Sequence, residues 1–287
     1  MNVLSKTATL RITKIAEHVG AEVRGIDLRR PVDDATRRQL HDALVENIAL
    51  VIKEQDFTPQ QFLAAAALFG EPMAQDDPQF ALPDVPLVKT LSNRHRNKSG
   101  APQKGDPSWH TDHTNHEIPP KFTTMYPVEL PSSGGGTSVA NMRAGFASLP
   151  EAVQRRIVGM KTANVRLGSA VKLPFVTAAA EAQKKLNPTP VIQPLVRTHP
   201  ENGSKALYFH RNKVENILGM DPEESQNLLG ELLDMVLRPE FIYTHQWSMG
   251  DMLIWDNRSA LHRAGNDFDP NQHRMFYRAI LRGDRPY

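Results

Sequence analysis

The spacing of apolar residues along the chain predicts many short β-strands. Several stretches alternate apolar and polar residues, as strands with one buried face do. The run Ile-Ala-Leu-Val-Ile at 48–52 is apolar throughout, as a strand buried on both faces is. The predicted strands lie within 9–28 and at 48–52, 87–91, 123–130, 241–247, 252–255, 260–262 and 274–281.

Four stretches with apolar residues at helical spacing predict α-helices. Each starts behind a polar capping residue, and two starts, at Thr58 and Ser148, have the sequence of a capping box. Gly70 and Gly159 are placed at the ends of their helices, and Pro239 closes the last one. The predicted helices cover 33–47, 58–69, 148–159 and 221–236. Many short strands with few helices predict a mainly β fold with peripheral helices and a jelly-roll core, the double-stranded β-helix.

Two long stretches lack a regular pattern. Proline recurs through 71–108, and apart from the strand at 87–91 this stretch is predicted as loop. Long loops near a binding site often act as lids, but a surface excursion fits the pattern equally well. A second loop is predicted at 167–190. Residues 1–287 are otherwise predicted to form a single domain.

Composition narrows the class of protein. With 40% hydrophobic and 23% charged residues the chain is globular, and its 34 Lys and Arg against 32 Asp and Glu argue against nucleic-acid binding. The absence of cysteine excludes disulfides, thiolate metal sites and a cysteine nucleophile. No secretory signal and no stretch long enough to span a membrane is evident, so a cytoplasmic location without membrane contact is expected. A homo-oligomer is compatible with all of this.

Four groups that can bind a metal ion fall within the sequence Trp-His-Thr-Asp-His-Thr-Asn-His at 109–116. If this stretch is a strand, its period of two places His110 and Asp112 on one face. A neutral imidazole beside a carboxylate supplies two of the three ligands of a facial metal site. A solvated polar strand has the same pattern, so the metal interpretation depends on a third ligand elsewhere.

The C-terminal region contains candidates for that ligand and for anion binding. The sequence Trp-Asp-Asn-Arg at 255–258 is followed by His262, and Arg274 and Arg278 stand four positions apart in a predicted strand. Residues at i and i+4 share a face of a strand, so both guanidiniums could point into one cavity. Buried there, each would need an anion, which suits a site for two acidic small molecules. On the solvated face the two arginines would need no anion. Sequence periodicity alone does not show which face they occupy.

In order and spacing these blocks resemble the taurine dioxygenase/2,4-dichlorophenoxyacetate dioxygenase family of Fe(II)- and 2-oxoglutarate-dependent oxygenases. The resemblance rests on Trp-His-Thr-Asp at 109–112, Gly-Gly-Thr at 135–137, Trp-Asp-Asn-Arg at 255–258 with His262, and the terminal arginine strand. Weaker similarity extends through the N-terminal half. The resemblance implies a jelly-roll enzyme that uses iron, 2-oxoglutarate and dioxygen to hydroxylate a small substrate, with release of succinate and carbon dioxide.

The resemblance also implies roles for the residues that bind the metal ion and the co-substrate. His110, Asp112 and His262 match the family's iron ligands. Arg274 matches the arginine that pairs with the distal carboxylate of 2-oxoglutarate, and Thr137 matches the threonine that hydrogen-bonds the same group.

Three further matches concern the primary substrate. Arg278 matches the arginine that receives an anionic head, which implies a carboxylate, aryloxy acid, sulfonate or sulfate ester. His113 matches a position whose backbone N–H faces that head, and His210 stands where family members line the substrate pocket. Taurine dioxygenases carry a histidine just after the Phe-Gly-Glu found here at 69–71. This sequence continues Pro-Met-Ala-Gln at 72–75, which argues against taurine itself.

Two other classes of protein compete with this interpretation. A hydrolase like the metallo-β-lactamases would use a local histidine cluster, but its motif is His-x-His-x-Asp-His and the order at 110–116 differs. Such a hydrolase would also have no use for the paired arginines. A non-catalytic jelly-roll sensor of 2-oxoglutarate would be expected to lack a complete ligand triad, and the triad here is complete.

Overall fold

The computed structural model describes residues 9–76, 78–96, 100, 105–165 and 189–287. Within these ranges the helices are α1 (Asp34–Asn47), α2 (Pro59–Ala67), α3 (Met142–Ser148), α4 (Glu151–Ile157) and α5 (Pro222–Val236). The strands are β1 (Arg11–Lys14), β2 (Ala21–Arg24), β3 (Ala49–Ile52), β4 (Pro72–Met73), β5 (Ala81–Leu82), β6 (Val85–Ser92), β7 (Pro120–Glu129), β8 (Thr137–Asn141), β9 (Lys161–Asn164), β10 (Val191–Pro194), β11 (Val196–Thr198), β12 (Lys205–Leu207), β13 (Val214–Ile217), β14 (Ile242–His245), β15 (Met252–Asp256), β16 (Ala260–Ala264) and β17 (Met275–Arg282). None of the helices in the described part has the length and apolarity needed to span a bilayer.

The largest sheet has nine strands in the order β1-β2-β3-β15-β7-β17-β6-β5, with β4 paired to β17. Helices α1 and α2 cover one face of this sheet. Leu50 and Ile52 of β3 belong to the core on that side together with Phe62 of α2, whereas Ala49 and Val51 belong to the core on the opposite side. The run at 48–52 is therefore buried on both faces, as its continuous apolar sequence predicted.

A three-stranded sheet, in the order β14-β8-β16, faces the large sheet. Val139 of β8 and Ala260 of β16 share one hydrophobic core with Trp255 and Phe276 of the large sheet. Two antiparallel layers packed through a common core make a jelly roll. The mainly β fold with peripheral helices, predicted from the sequence, is confirmed.

Three predicted helices begin at their predicted caps. The side chains of Asp33, Thr58 and Asp221 each accept a hydrogen bond from the backbone N–H three residues further on. These bonds satisfy N–H groups that the first helical turn leaves without partners. Helix α2 ends at Ala67, earlier than predicted, so Gly70 is not its cap.

The predicted capping box at Ser148 is wrong. Ser148 is the last residue of α3, and its hydroxyl donates to the carbonyl of Gly145 at 2.8 Å. Helix α3 was not predicted, because a glycine in its middle lowers helix propensity. The packing requires that glycine: a Cβ at position 145 would lie 2.9 Å from the Cβ of Val236 in α5.

Only part of the stretch 71–108 is loop. Strands β4, β5 and β6 join the large sheet, and β6 is longer than the predicted strand at 87–91. Asn93, Gly105 and Asp106 line the cavity described below, and a lid function for 71–108 stays a prediction. The other predicted loop, at 167–190, lies outside the described residues except for positions 189 and 190.

A partly buried ionic network ties α1 to the turn between β15 and β16. Asp256 accepts hydrogen bonds from Arg258 and lies 2.9 Å from Nε2 of His199. Arg258 also donates to Glu201 at 2.5 Å, and the other oxygen of Glu201 lies 2.6 Å from Nε2 of His41 in α1. His41 and Arg258 together lower the pKa of Glu201 to about 2, against the opposing effect of burial.

We expect Glu201→Gln to remove a stabilisation that depends on pH. Because the folded-state pKa lies below the usual value of 4.5, the ionised Glu201 stabilises the fold fully above that pH, and this contribution is lost as the pH falls toward 2. In urea unfolding, the variant should be destabilised at neutral pH and should approach the wild type near pH 2. The control is Glu231→Gln, at an exposed position of α5. A deficit of equal size at both pH values would contradict the prediction.

Candidate metal centre and active site

A cavity of about 270 Å³ opens between the two sheets of the jelly roll. Its wall contains the candidate residues of the sequence analysis: His110, Asp112, His113, Thr137, His210, His262, Arg274 and Arg278. Residues far apart in the sequence therefore meet at one site. Asp106 and Lys213 also line the cavity, although the sequence did not single them out.

His110, Asp112 and His262 form a compact, buried group in this wall. Their potential ligand atoms all lie within 4.8 Å of one another. The backbones of His110 and His262 exchange two hydrogen bonds, of 3.0 and 2.8 Å, and their rings lie 4.2 Å apart. Nδ1 of His110 faces the carbonyl of Ser108 at 2.8 Å, which leaves Nε2 for a ligand. Such a group could hold an octahedral metal ion with three positions open.

The backbone conformation between His110 and Asp112 differs from the predicted strand. His110 takes part in a single antiparallel bridge with His262, and residues 112–115 form turns. The hydroxyl of Thr111 between them donates to the carbonyl of Asn257 at 2.8 Å. The strand predicted for this stretch is therefore wrong, and a turn rather than strand periodicity places the carboxylate beside the imidazole.

Asp112 is ionised and closely held. Its Oδ2 accepts hydrogen bonds of 2.6 Å from Thr123 and from Arg278. Burial by itself would raise the pKa of Asp112, but the charge of Arg278 holds it well below its usual value. Burial lowers the pKa of His262 well below its usual value, with His110 adding to the effect. At neutral pH the carboxylate is charged and the His262 imidazole is neutral, as metal binding requires.

Residues of the Trp-Asp-Asn-Arg sequence at 255–258 orient Asp112 through a chain of hydrogen bonds. Asn257 donates to Thr123 at 2.8 Å, and Thr123 in turn donates to Asp112. The indole N–H of Trp255 donates to the side-chain oxygen of Asn257 at 3.1 Å. These hydrogen bonds orient the Asp112 carboxylate. No residue of 255–258 is itself one of the candidate metal ligands.

Arg274 and Thr137 make a second polar region of the wall. Arg274 donates through Nε and Nη2 to the carbonyl of Gly135, at 2.9 and 2.7 Å, and its guanidinium lies 4.3 Å from the ring centre of Phe276. The hydroxyl of Thr137 accepts a hydrogen bond from Trp247 at 3.1 Å. A Cβ at position 135 would lie 2.8 Å from Nε of Arg274, so only glycine allows this approach. Burial lowers the pKa of Arg274 to about 10, which leaves it cationic at neutral pH.

Arg278 connects the metal-ligand candidates to the segment that follows β4. Its Nη2 donates to Asp112 at 2.6 Å, and its Nη1 donates to Oε1 of Gln75 at 2.5 Å. The amide nitrogen of Gln75 donates back to the carbonyl of Arg278 at 3.1 Å. Gln75 therefore holds both the side chain and the backbone of Arg278. The sequence had drawn attention to 72–75 only for a missing histidine.

The remaining histidine candidates differ in their surroundings. The side chains of His113 and His116 both face Asp76, at 3.3 and 2.7 Å. The ring of His210 lies 4.8 Å from that of His110, and burial lowers its pKa well below the usual value. The substrate-binding roles of His113 and His210 stay predictions.

Lys213 is a cavity residue that the sequence analysis missed. Its ammonium donates to the side-chain oxygen of Asn115 at 2.8 Å. Burial lowers its pKa, while Asp112 and Asp76 oppose that shift. The only sequence signal for it was its place three residues after His210. With Arg274 and Arg278 it makes the cavity wall strongly cationic.

Residues 11–280 match the family described as "Taurine catabolism dioxygenase TauD, TfdA family". The chain belongs to this family. It is an α-ketoglutarate-dependent dioxygenase, α-ketoglutarate being another name for 2-oxoglutarate. The family resemblance seen in the sequence is confirmed, and the hydrolase and sensor alternatives are dropped.

Relatives with stated activities cover almost the whole chain. The (S)-phenoxypropionate/α-ketoglutarate dioxygenase of Sphingobium herbicidovorans is 34% identical over 271 residues, 92% of each chain. The α-ketoglutarate-dependent sulfate ester dioxygenase of Pseudomonas putida is 32% identical, over 96% of this chain and 91% of the relative. The crystal structure of AAD-2 in complex with Mn(II) and N-oxalylglycine superposes with a TM-score of 0.82 at 30% identity, over 97% of this chain and 99% of AAD-2.

Proposed function

We propose that this dioxygenase uses Fe(II) and 2-oxoglutarate to hydroxylate a small anionic organic substrate. The observation that carries the proposal is a single cavity whose wall contains both a His-Asp-His group and separate cations. Each reactant then has its own partner. The His-Asp-His group binds the metal ion, Arg274 binds the co-substrate and Arg278 binds the substrate.

In this proposal His110, Asp112 and His262 hold Fe(II). Two imidazoles and one carboxylate fit this ion and leave room for 2-oxoglutarate and dioxygen. The bound iron supplies the oxidising chemistry, in which 2-oxoglutarate loses carbon dioxide to become succinate and the substrate gains an oxygen atom. The protein orients the reactants and keeps competing reactions out. The AAD-2 complex, which contains Mn(II) and the diacid N-oxalylglycine, supports a metal ion beside a dicarboxylic acid.

Arg274 and Thr137 are proposed to bind the distal carboxylate of 2-oxoglutarate. The carbonyl of Gly135 fixes one edge of the Arg274 guanidinium, and Phe276 lies against its face. A guanidinium held in this way loses little freedom when an anion binds, so binding is stronger than to a mobile side chain. The hydroxyl of Thr137 is the neutral donor beside it.

Arg278 and Lys213 are proposed to receive the anionic group of the substrate. Both line the cavity, and Arg278 reaches Asp112 through one nitrogen. An anion bound to the other nitrogen, in place of Gln75, would hold the substrate next to the metal ligands. The activities of the relatives on an aryloxy acid and on sulfate esters favour these two substrate classes. Taurine is not proposed as the substrate, because the sequence at 72–75 lacks the histidine that taurine dioxygenases carry there.

Anaerobic titration with Fe(II) and 2-oxoglutarate tests the proposed function. Chelation of iron by the 2-oxo acid produces a visible metal-to-ligand charge-transfer band. We expect that band to develop with one equivalent of each, and its absence in well-folded protein would overturn the proposal. Consumption of 2-oxoglutarate in air can then be screened with aryloxy acids and alkyl sulfates, one compound at a time.

Arg278→Gln is expected to separate substrate binding from co-substrate binding. The variant keeps Arg274, so the charge-transfer band should form at unchanged 2-oxoglutarate concentrations. It loses the charged partner of the substrate, and removing one partner of a buried charged pair costs roughly 2–5 kcal/mol, or about 30-fold or more in kcat/KM. The measurement is kcat/KM for the best acid found in the screen.

The control for this variant is Arg282→Gln on the same strand. Arg282 is exposed and pairs with Glu71 at 3.0 Å, outside the cavity. It should leave both the band and kcat/KM unchanged. Because Arg278 also hydrogen-bonds Asp112, both variants are titrated at saturating Fe(II), and a raised 2-oxoglutarate requirement in Arg278→Gln under that condition would refute the assignment of Arg278 to the substrate.

A further inference from the structure

A second group of potential metal ligands lies beside the candidate active site. Asp76, which follows β4, faces Nε2 of His116 at 2.7 Å and Nδ1 of His113 at 3.3 Å. The three ligand atoms lie within 4.8 Å of one another. This cluster shares no ligand with the group formed by His110, Asp112 and His262. Its side chains are 12–28% exposed, so solvent ions can reach it.

The backbone at 113–116 is shaped to present both imidazoles on one side. The N–H of His116 donates to the carbonyl of His113 at 2.9 Å, and the two rings lie edge to face at 5.0 Å. His113 has φ 52°, a left-handed conformation that costs energy in a residue other than glycine. Gln193 holds the turn by donating to the carbonyls of Thr114 and His116. The turn is therefore held rigidly in a strained form.

We propose that Asp76, His113 and His116 form a second metal site, for a divalent transition-metal ion such as Zn²⁺. Two imidazoles and one carboxylate are borderline ligands that bind zinc, copper or nickel more tightly than calcium or magnesium. Water completes the coordination of an ion at a partly exposed site. The two rings already face one carboxylate, so a metal ion bound between them would take the place of these close contacts.

Metal binding at this site ties two distant segments together. Asp76 belongs to the segment after β4, and the histidines belong to the turn that follows His110 and Asp112. Gln75, next to Asp76, holds Arg278 through two hydrogen bonds. An ion at the second site therefore fixes the segment that contacts the proposed substrate arginine. Its binding does not depend on the proposed function, whereas this effect on Arg278 does.

Equilibrium dialysis of the full chain against Zn²⁺ tests the proposal. The metal-free wild type should bind two equivalents, one at each cluster. His116→Gln and Asp76→Asn should each bind only one at the same zinc concentration, because loss of one of three ligands weakens the site by more than about 100-fold. His262→Ala should also bind one, through the second site. Zinc should slow backbone hydrogen exchange at 72–76 in His262→Ala but not in the double variant with His116→Gln.

A matched control is His41→Gln. His41 pairs with a carboxylate at 2.6 Å and is 26% exposed, almost as His116 is, but within the described part of the chain it belongs to no group of three potential ligands. This variant should keep both equivalents. Two equivalents in both His116→Gln and Asp76→Asn would overturn the second site. If instead His262→Ala kept two equivalents while His116→Gln lost one, the proposed function would fail and the second site would stand.

Discussion

His262→Ala is expected to abolish turnover because it removes one of three metal ligands. Loss of residues that merely orient a ligand weakens metal binding about 10- to 100-fold, and loss of a ligand itself should exceed 100-fold. The fold should survive, since His262 is held to His110 by backbone hydrogen bonds that alanine also makes. The measurement is the charge-transfer band in an anaerobic Fe(II) and 2-oxoglutarate titration, with circular dichroism to verify folding.

His116→Gln is the control for this experiment. His116 also belongs to a histidine–carboxylate cluster, but not to the one that contains Asp112. Its variant should develop the full band. A normal band in His262→Ala would refute the role of His262 as an iron ligand, and loss of the band in both variants would show that the two clusters do not act separately.

Arg274→Gln should weaken 2-oxoglutarate binding by roughly 30-fold or more. The distal carboxylate would lose a charged partner in a buried setting, a change that costs about 2–5 kcal/mol. Iron binding should be unaffected, because Arg274 contacts none of the three proposed ligands: its described hydrogen bonds go to Gly135 and, through its backbone, to Asn93. The measurement is the 2-oxoglutarate concentration that gives half of the charge-transfer band at saturating Fe(II).

Two comparisons make this result specific. Arg282→Gln removes an exposed guanidinium from β17, the strand that follows Arg274, and should not change 2-oxoglutarate binding. Arg278→Gln removes the other buried guanidinium and should also leave it unchanged. If Arg278→Gln lost 2-oxoglutarate and Arg274→Gln kept it, the assignments of the two arginines would be reversed.

The core around the large sheet was predictable because the apolar residues in the local sequence pattern are the residues that are buried in the fold. In β3 each apolar residue finds a core on its own side of the sheet, and in α5 the leucines at helical spacing are the buried ones. The three confirmed helix caps rest on hydrogen bonds within three residues, which a sequence displays directly. Helix α3 was not predictable in this way. Gly145 in its middle allows close packing against α5, and local sequence patterns do not show that contact.

The candidate site was predictable only at residues whose side-chain type indicates a specific chemistry, such as metal binding. His110, Asp112 and His262 stand out by type and spacing, although the strand assumed for the first two is a turn. Gln75 and Lys213 do not, since an amide or an ammonium is ordinary on any surface. Gln75 meets Arg278, and Lys213 lines the cavity, through contacts between segments far apart in the chain, such as the pairing of β4 with β17.

The bridge between His110 and His262 joins positions about 150 residues apart. Closing so long a loop carries only a modest entropic cost, because that cost grows with the logarithm of loop length. The order of synthesis matters more, since a growing chain presents His110 and Asp112 long before β16 has been made. A ribosome-bound chain in that interval has two of the three proposed ligands. The proposed metal site therefore stays incomplete until β16 has been synthesised.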